Sequence, residues 1–323
     1  MANLEEWAFP EEMQPQGDEY RFDLEAALDS VVLLRAEIPE DAFTAQILGT
    51  ERAGNGVVIR EGLVLTIGYL ITEATAIWLT TNRGTAVAGF PLAYDQASGF
   101  GLVQPLGRLE VTPLAPGSSA SCKVGDEVVV AGHGGAEHAL KARVFAKREF
   151  AGYWEYVLEE ALFTAPAHPN WGGTALIDRG GRLIGIGSLL VQEELRGKQV
   201  QGNMIVPIDL LAPILDDLLT LGRVNRPPRP WLGMYATEVE GQLVVAGLAQ
   251  GGPADRAGLQ VGDMLLEVGG GRPTGLADLF RRIWKLGAAG VEVPFSVRRE
   301  GDTLRLTVRS ADRNDFLKKP HLH

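Results

Sequence analysis

The sequence predicts a mainly-β protein of two domains, and three observations carry that reading. Short apolar runs separated by Gly, Asn or charged turns recur from about residue 24, the signal of an all-β barrel or sandwich. Glycine is frequent, at 40 of 323 residues, beside a hydrophobic content of 46 %, which suits a turn-rich β-protein better than a helical bundle. Arg223–Pro230 holds three prolines and three arginines in eight residues. It reads as a stiff, exposed linker, after which strands and helices alternate.

The elements follow in order. Residues 1–23 form an N-terminal arm, acidic and proline-punctuated, yet carrying Trp7, Phe9, Tyr20 and Phe22. Either the arm docks its aromatic side chains, on a neighbouring subunit for instance, or it is a frayed tail. Residues 24–221 form the first domain. Its predicted strands are Val31–Ile38, Gly56–Ile59, Leu63–Thr66, Ala76–Thr80 and Thr85–Phe90, then Glu127–Ala131, Lys141–Phe145, Tyr153–Leu158, Gly173–Ile177, Leu183–Leu189 and Asn203–Pro207. A helix follows from Leu210, capped by Asp209 and stopped by Gly222. After the linker, 222–230, the second domain covers 231–310 and a tail 311–323. Its order is strand Gln242–Ala246, a Pro-initiated helix Ala254–Ala257, strand Met264–Val268, helix Leu276–Trp284, and strands Val291–Arg298 and Thr303–Arg309.

Composition excludes several functions. A formal charge of -11 argues against nucleic acid as the partner, which would demand a basic face. The single cysteine, Cys122, excludes an intramolecular disulfide and any multi-cysteine metal site. His133 and His138, with four residues between them, stand on a Gly-rich hairpin without a nearby Asp or Cys ligand, so neither metal nor cofactor is expected. No secretory signal is visible and no apolar stretch suits a membrane span. The expected location is cytoplasmic, or periplasmic had a leader been removed.

The order of motifs is more specific than the strand pattern. Gly54-Asn55-Gly56-Val57-Val58-Ile59, then Gly62-Leu63-Val64-Leu65-Thr66, resembles the opening of the HtrA/Deg-type, trypsin-like serine proteases. Pro169-Asn170-Trp171-Gly172-Gly173 resembles their nucleophile segment, and Val206-Pro207-Ile208 the end of their protease domain. The stretch Gly252–Asp263 resembles the signature of their PDZ module. The resemblance covers about residues 24–309. It implies a chymotrypsin-like double β-barrel followed by a circularly permuted PDZ domain, and assembly as a homotrimer through the N-terminal region.

Hydrolysis on such a barrel needs a hydroxyl nucleophile, an imidazole to take its proton and a carboxylate to hold the imidazole's tautomer. By the resemblance, the imidazole position falls on Tyr69, the carboxylate position on Gly99 and the nucleophile position on Trp171, so the site is expected to be degenerate. Asp95 matches an upstream turn aspartate. Tyr69, Trp171 and Phe100 then backfill or line the cleft. Candidates for a rewired site are His168, the only histidine close to the old nucleophile, and Thr174, with Thr66 and Ser188 as other hydroxyls.

The resemblance also implies a peptide site in the PDZ module. The loop Arg229-Pro230-Trp231-Leu232-Gly233-Met234 would offer backbone N–H groups to a terminal carboxylate, and a ligand strand would add along Met234–Thr237. Leu279 and Ile283, four apart on one helix face, line the pocket or belong to the core, and Arg229 attracts the carboxylate. The expectation is therefore a non-catalytic protease homologue, a protein-binding adaptor, chaperone-like or scaffold subunit with no nucleic-acid or membrane partner. The alternatives are a serine-type endopeptidase with a rewired active site and a purely structural subunit.

Overall fold

The computed structural model describes residues 7–195 and 197–319. It divides into two compact units. One takes the chain up to Arg148 together with Glu160–Val224, and the other takes Glu149–Glu159 and Asn225–Leu317.

The first unit holds two six-stranded closed barrels. In the first, β1 (Val31–Glu37), β2 (Glu51–Arg60), β3 (Leu63–Ile67), β4 (Ala76–Thr80), β5 (Ala86–Tyr94) and β6 (Phe100–Pro105) close in the order β1-β2-β3-β6-β5-β4. β1 pairs antiparallel with both β2 and β4, so neither of its edges is left open. Along β1 burial alternates at its far end: Leu34 and Ala36 are buried while Arg35 and Glu37 are exposed, as a pleated strand with one face on a core requires. Val31, Val57, Leu65, Leu79, Phe100 and Leu102 are shut from solvent. Each such aliphatic side chain contributes roughly 1.5–3 kcal/mol over leaving it exposed.

The second barrel consists of β7 (Glu127–Ala131), β8 (Ala139–Gly152), β9 (Tyr156–Ala165), β10 (Ala175–Ile177), β11 (Leu183–Leu195) and β12 (Lys198–Pro207), in the order β10-β11-β12-β9-β8-β7. The register of β11 on β12 slips between Gly187 and Leu189, which leaves Ser188 out of the ladder.

The second unit is built on an open antiparallel sheet of β13 (Met234–Val239), β14 (Gln242–Leu248), β15 (Met264–Val268), β16 (Glu292–Arg299) and β17 (Asp302–Arg309), in sequence order across the sheet. β13 is therefore an edge strand. The helix Leu276–Lys285 turns Ala277, Leu279, Phe280 and Ile283 inward, where they join Leu232, Met234, Val245 and Phe295 in one apolar cluster. Asp263 is buried and forms a two-point ion pair with Arg299 at 2.7 Å, which holds the turn before β15.

Several expectations change. The helix placed from Leu210 starts at Leu215 and runs to Leu221, because Pro213 tolerates only a helical first turn and the chain makes a short 3-10 turn at Ile208–Leu210 instead. Asp209 does not cap it but accepts from Ser118 Oγ at 3.0 Å and Ala120 N at 2.8 Å. Gly222, at φ +68°, closes the helix as expected, its N–H bonded to Leu218 O.

The segment Tyr153–Glu155, expected to be strand, is the turn joining β8 to β9, and Glu155 sits at φ +61°. The arm docks on its own unit: Phe9 N donates to Glu137 O at 2.9 Å, and the Trp7 and Phe9 rings pack edge-on against His168 at 5.5 and 5.3 Å. Residues after 310 stay with the second unit as far as Leu317: Ala311 exchanges two backbone bonds with Trp231, and the Phe316 ring lies 4.8 Å from that indole.

Candidate functional site

The segment Asn170–Thr174 is a tight turn fixed at both ends. Trp171 O accepts from Thr174 N at 3.2 Å and Thr174 Oγ1 at 3.0 Å, and Gly173 takes φ +78°, the left-handed value that the third residue of such a turn needs. A Cβ on Gly173 would stand 1.8 Å from Asn55 O, so only glycine fits.

Asn55, on β2, is the hub beneath this turn. Its N–H donates to Gly172 O at 2.8 Å, and its Nδ2 to Asn170 O at 2.9 Å and Gly172 O at 3.1 Å. Its Oδ1 accepts from His133 N at 2.9 Å, and its own carbonyl takes the Thr66 hydroxyl at 2.7 Å. Both donor and acceptor ends of the side chain are used, which fixes its amide orientation.

Of the three positions singled out as the old triad, Trp171 is part of this turn, Tyr69 lies beside it and Gly99 lies against Gly68. The half-buried Tyr69 donates its hydroxyl to Ser188 O at 2.8 Å, and a Cβ on Gly172 would stand 2.8 Å from the Tyr69 hydroxyl oxygen. Burial pushes the phenol far above its ordinary range. Gly99, at φ +85°, accepts from Gly68 N at 2.7 Å, one residue before Tyr69, and donates to Asp95 O. Asp95 accepts from Ser98 N at 2.8 Å and so shapes the turn preceding β6. Trp171 presents a half-exposed indole and a carbonyl bonded to Thr174. Phe100 is fully buried in the first barrel and does not line a cleft.

His168 is completely buried. Its backbone is held from both sides by Asn203, whose Oδ1 accepts from His168 N at 2.7 Å and whose Nδ2 donates to His168 O at 3.1 Å. Nδ1 accepts from Asn170 N at 3.1 Å, so the proton sits on Nε2, which donates to His138 O at 3.0 Å. Burial pushes the imidazole pKa down to about 4, leaving the ring neutral at neutral pH. The two rewired-site candidates thus border one turn, yet each spends its polar atoms on nearby backbone: Thr174 on Trp171, His168 on Asn170 and His138. Neither Asn55 nor Asn203 was singled out in the sequence. Among the described residues no group of three His, Cys, Asp or Glu is arranged around a metal ion.

The second unit carries a different constellation. The N–H groups of Leu232, Gly233 and Met234 converge on one carboxylate, that of Glu155, at 2.7–3.1 Å. Gly233 stands at φ +68°, and a Cβ there would press on Ala249 and the Trp231 ring at 2.9 Å. Burial pushes the Glu155 pKa up to about 7, the three backbone donors and the positive charge of Arg313 opposing it. Ala236 N, on the edge strand β13, donates to Tyr153 O at 3.1 Å. Leu279 and Ile283 are fully buried, in the same cluster as Val157. Arg229 lies over the Trp284 ring at 4.4 Å rather than on the carboxylate. Sequence reasoning found the loop but not its occupant.

With this geometry in hand, comparison places the chain among known folds. The description of a trypsin-like peptidase domain matches residues 54–186, and that of a PDZ domain residues 230–309. Protease Do-like 1, chloroplastic, of Arabidopsis thaliana is 26 % identical over 277 residues, 78 % of this chain and 62 % of that protein. A probable periplasmic serine endoprotease, DegP-like, of Pseudomonas fluorescens is 26 % identical over 278 residues, 81 % and 57 % of the two chains. The chain thus spans about three-fifths of the length of these relatives. Among solved structures, the HtrA-type protease AlgW with tripeptide superposes with a TM-score of 0.53 at 19 % identity, covering 95 % of this chain and 99 % of that one. The serine endoprotease from Yersinia pestis gives 0.51 at 19 %, covering 90 % and 98 %.

Two expectations are corrected here. The non-catalytic adaptor does not stand against relatives named as serine endoproteases that align over about four-fifths of the chain. The cytoplasmic placement is overturned by the same matches, whose names place them in the periplasm or the chloroplast. No helix among the described residues is long and apolar enough to cross a membrane.

Proposed function

We propose that this chain, with its HtrA/Deg-type trypsin-like serine-protease fold and C-terminal PDZ domain, is a serine-type endopeptidase with a rewired active site. Its substrates are polypeptides. Tyr69, Gly99 and Trp171 do not carry the chemistry in this reading. The Tyr69 phenol stays protonated, glycine has no side chain, and indole is no nucleophile.

The observation that supports it is the fixed tautomer of His168. In a triad the carboxylate exists to hold the imidazole proton on one nitrogen. Here the His138 carbonyl does so at Nε2, which leaves Nδ1 as the basic nitrogen beside the turn that carries Thr174. The described state is at rest, with Nδ1 on Asn170 N and Thr174 Oγ1 on Trp171 O. Opening of the whole Asn170–Thr174 segment frees both groups. Thr174 Oγ then attacks the scissile carbonyl carbon, its proton passes to His168 Nδ1 and on to the leaving amine, and water releases the acyl group.

The second unit selects polypeptides through the loop Trp231–Met234 and the pocket floored by Leu279 and Ile283, as a circularly permuted PDZ module. The proposed assembly is a homotrimer, and the mass of the protein in solution checks it. Digestion of unfolded casein, with the new termini read by mass spectrometry, tests the activity. Cleavage that disappears in both His168→Ala and Thr174→Ala is the expected result; an undigested substrate, or cleavage unchanged in both variants, contradicts it.

A further inference from the structure

The carboxylate-binding loop of the second unit is filled by the chain itself. Three successive N–H groups, from Leu232, Gly233 and Met234, meet the Glu155 carboxylate, the donor set that a peptide's terminal carboxylate would require. The backbone of the same tip also reaches the open edge of the sheet, where Ala236 N bonds Tyr153 O, the contact an added strand would make. Val157, two residues on, lies in the apolar cluster with Leu232, Leu279 and Ile283. Carboxylate, strand contact and apolar anchor are thus all supplied within five residues of one hairpin.

The stem of that hairpin is gripped as well. Arg281, on the helix Leu276–Lys285, pairs with Glu149 on one arm and with Glu159, at 2.6 Å, on the other. Glu155 itself takes φ +61°, a backbone region that costs a non-glycine residue about 1–2 kcal/mol, so the tip has a conformation that its contacts must sustain. A hairpin needed only to join β8 and β9 requires neither a buried carboxylate at its tip nor a cation bridging its stem.

We propose that the tip Glu149–Glu159 is an internal ligand of the peptide groove: Glu155 takes the place of a terminal carboxylate, so a peptide with a free, apolar C-terminus binds only by displacing the hairpin. The inference rests on the reading of the second unit as a peptide-binding module. Its consequence is a gated groove. Apparent affinity for a peptide is lowered by the fraction of molecules in which the groove is free. The groups facing the Glu155 carboxylate are the Arg313 cation and the Tyr235 phenol, and burial raises its proton affinity. Docking therefore weakens as pH rises and the buried carboxyl ionises.

The test uses the full chain and a fluorescent decapeptide ending in valine, as the free acid and as the C-terminal amide. Binding is measured by anisotropy to wild type, Glu155→Ala and Arg281→Ala, the last leaving the loop untouched should the first fold poorly. Hydrogen exchange at residues 232–236 is followed in parallel. The proposal predicts that the free acid binds about tenfold more tightly to Glu155→Ala, that Arg281→Ala shifts in the same direction, and that the amide gains nothing; a tenfold gain means that the wild-type groove is free in at most about a tenth of molecules. Equal binding of the free acid by all three proteins makes the hairpin a strut and overturns the proposal, while peptide recognition survives. Loss of exchange protection in Glu155→Ala with no peptide bound by any of the three proteins overturns peptide recognition, and the proposal with it.

Discussion

The Tyr69 hydroxyl donates to the Ser188 carbonyl at 2.8 Å, joining the turn after β3 to the one residue that the β11 bulge leaves out of its ladder. A carbonyl released from a sheet must find a donor or water, and the phenol meets that need. Tyr69→Phe removes the donor and keeps the ring. Its cost is expected at about 1–3 kcal/mol, the desolvation penalty of an unpaired buried acceptor, read as a lower urea midpoint at unchanged slope. A midpoint equal to wild type would show that water replaces the hydroxyl.

Gly173 and Gly125 both have left-handed backbones, at φ +78° and +97°, but a Cβ meets Asn55 O at 1.8 Å in the first and nothing within 4 Å in the second. Gly125→Ala should cost about 1 kcal/mol of backbone strain, and Gly173→Ala well beyond ~3 kcal/mol because backbone must move. Thermal unfolding of the two variants side by side checks this; equal losses would mean that the Asn55–Gly173 approach is not tight.

Asn55→Ala removes two donor contacts to Asn170 O and Gly172 O and the acceptor for His133 N. Removing several buried hydrogen bonds at once predicts a loss of about 2–4 kcal/mol. It also predicts faster hydrogen exchange at His133 and through 170–174, with little change in β13–β17. Uniform acceleration across both units would contradict the local role.

Two buried groups predict opposite pH slopes. The folded protein holds the Glu155 proton more tightly than the unfolded chain does. Its stabilisation is complete below the ordinary value of 4.5 and lost as pH rises through about 7. His168 binds its proton more weakly when folded, so its stabilisation is complete above the ordinary 6.5 and lost as pH falls through about 4. Between about pH 4.5 and 6.5 the two largely cancel. In that window Glu155→Gln should become more stable relative to wild type as pH rises, and His168→Gln less so. Denaturant midpoints at four pH values decide it, and parallel curves would contradict both assignments.

Much of the fold was legible because it is local. Strand period, glycine turns and the Arg223–Pro230 linker are read within windows of ten residues, and the runs Val31–Glu37, Leu63–Ile67 and Met264–Val268 fall where their patterns put them. The helix after Pro207 was misplaced because Pro213 outweighed the apolar period of its neighbours.

The sites were less legible because they are made by distant pairs. Asn55 meets Asn170 across 115 positions, and Glu155 meets Leu232 across 77. Nothing in a window around Glu155 distinguishes a carboxylate in solvent from one held by three amides. The aromatic tip Tyr153-Trp154-Glu155-Tyr156 was the available signal, and its apolar residues read instead as strand. His168 was found from its nearness to Trp171. Its tautomer depends on His138 and Asn170, which only the fold brings to the two sides of the ring.

The most direct test of the rewired site is to trap its nucleophile. The protein is incubated with a serine-directed phosphonate and unfolded casein as opener, then digested and mapped by mass spectrometry. One phosphonyl group on the peptide containing Thr174, absent from Thr174→Ala and slowed in His168→Gln, is the predicted result. An unmodified chain, or an adduct elsewhere that Thr174→Ala leaves unchanged, would contradict it.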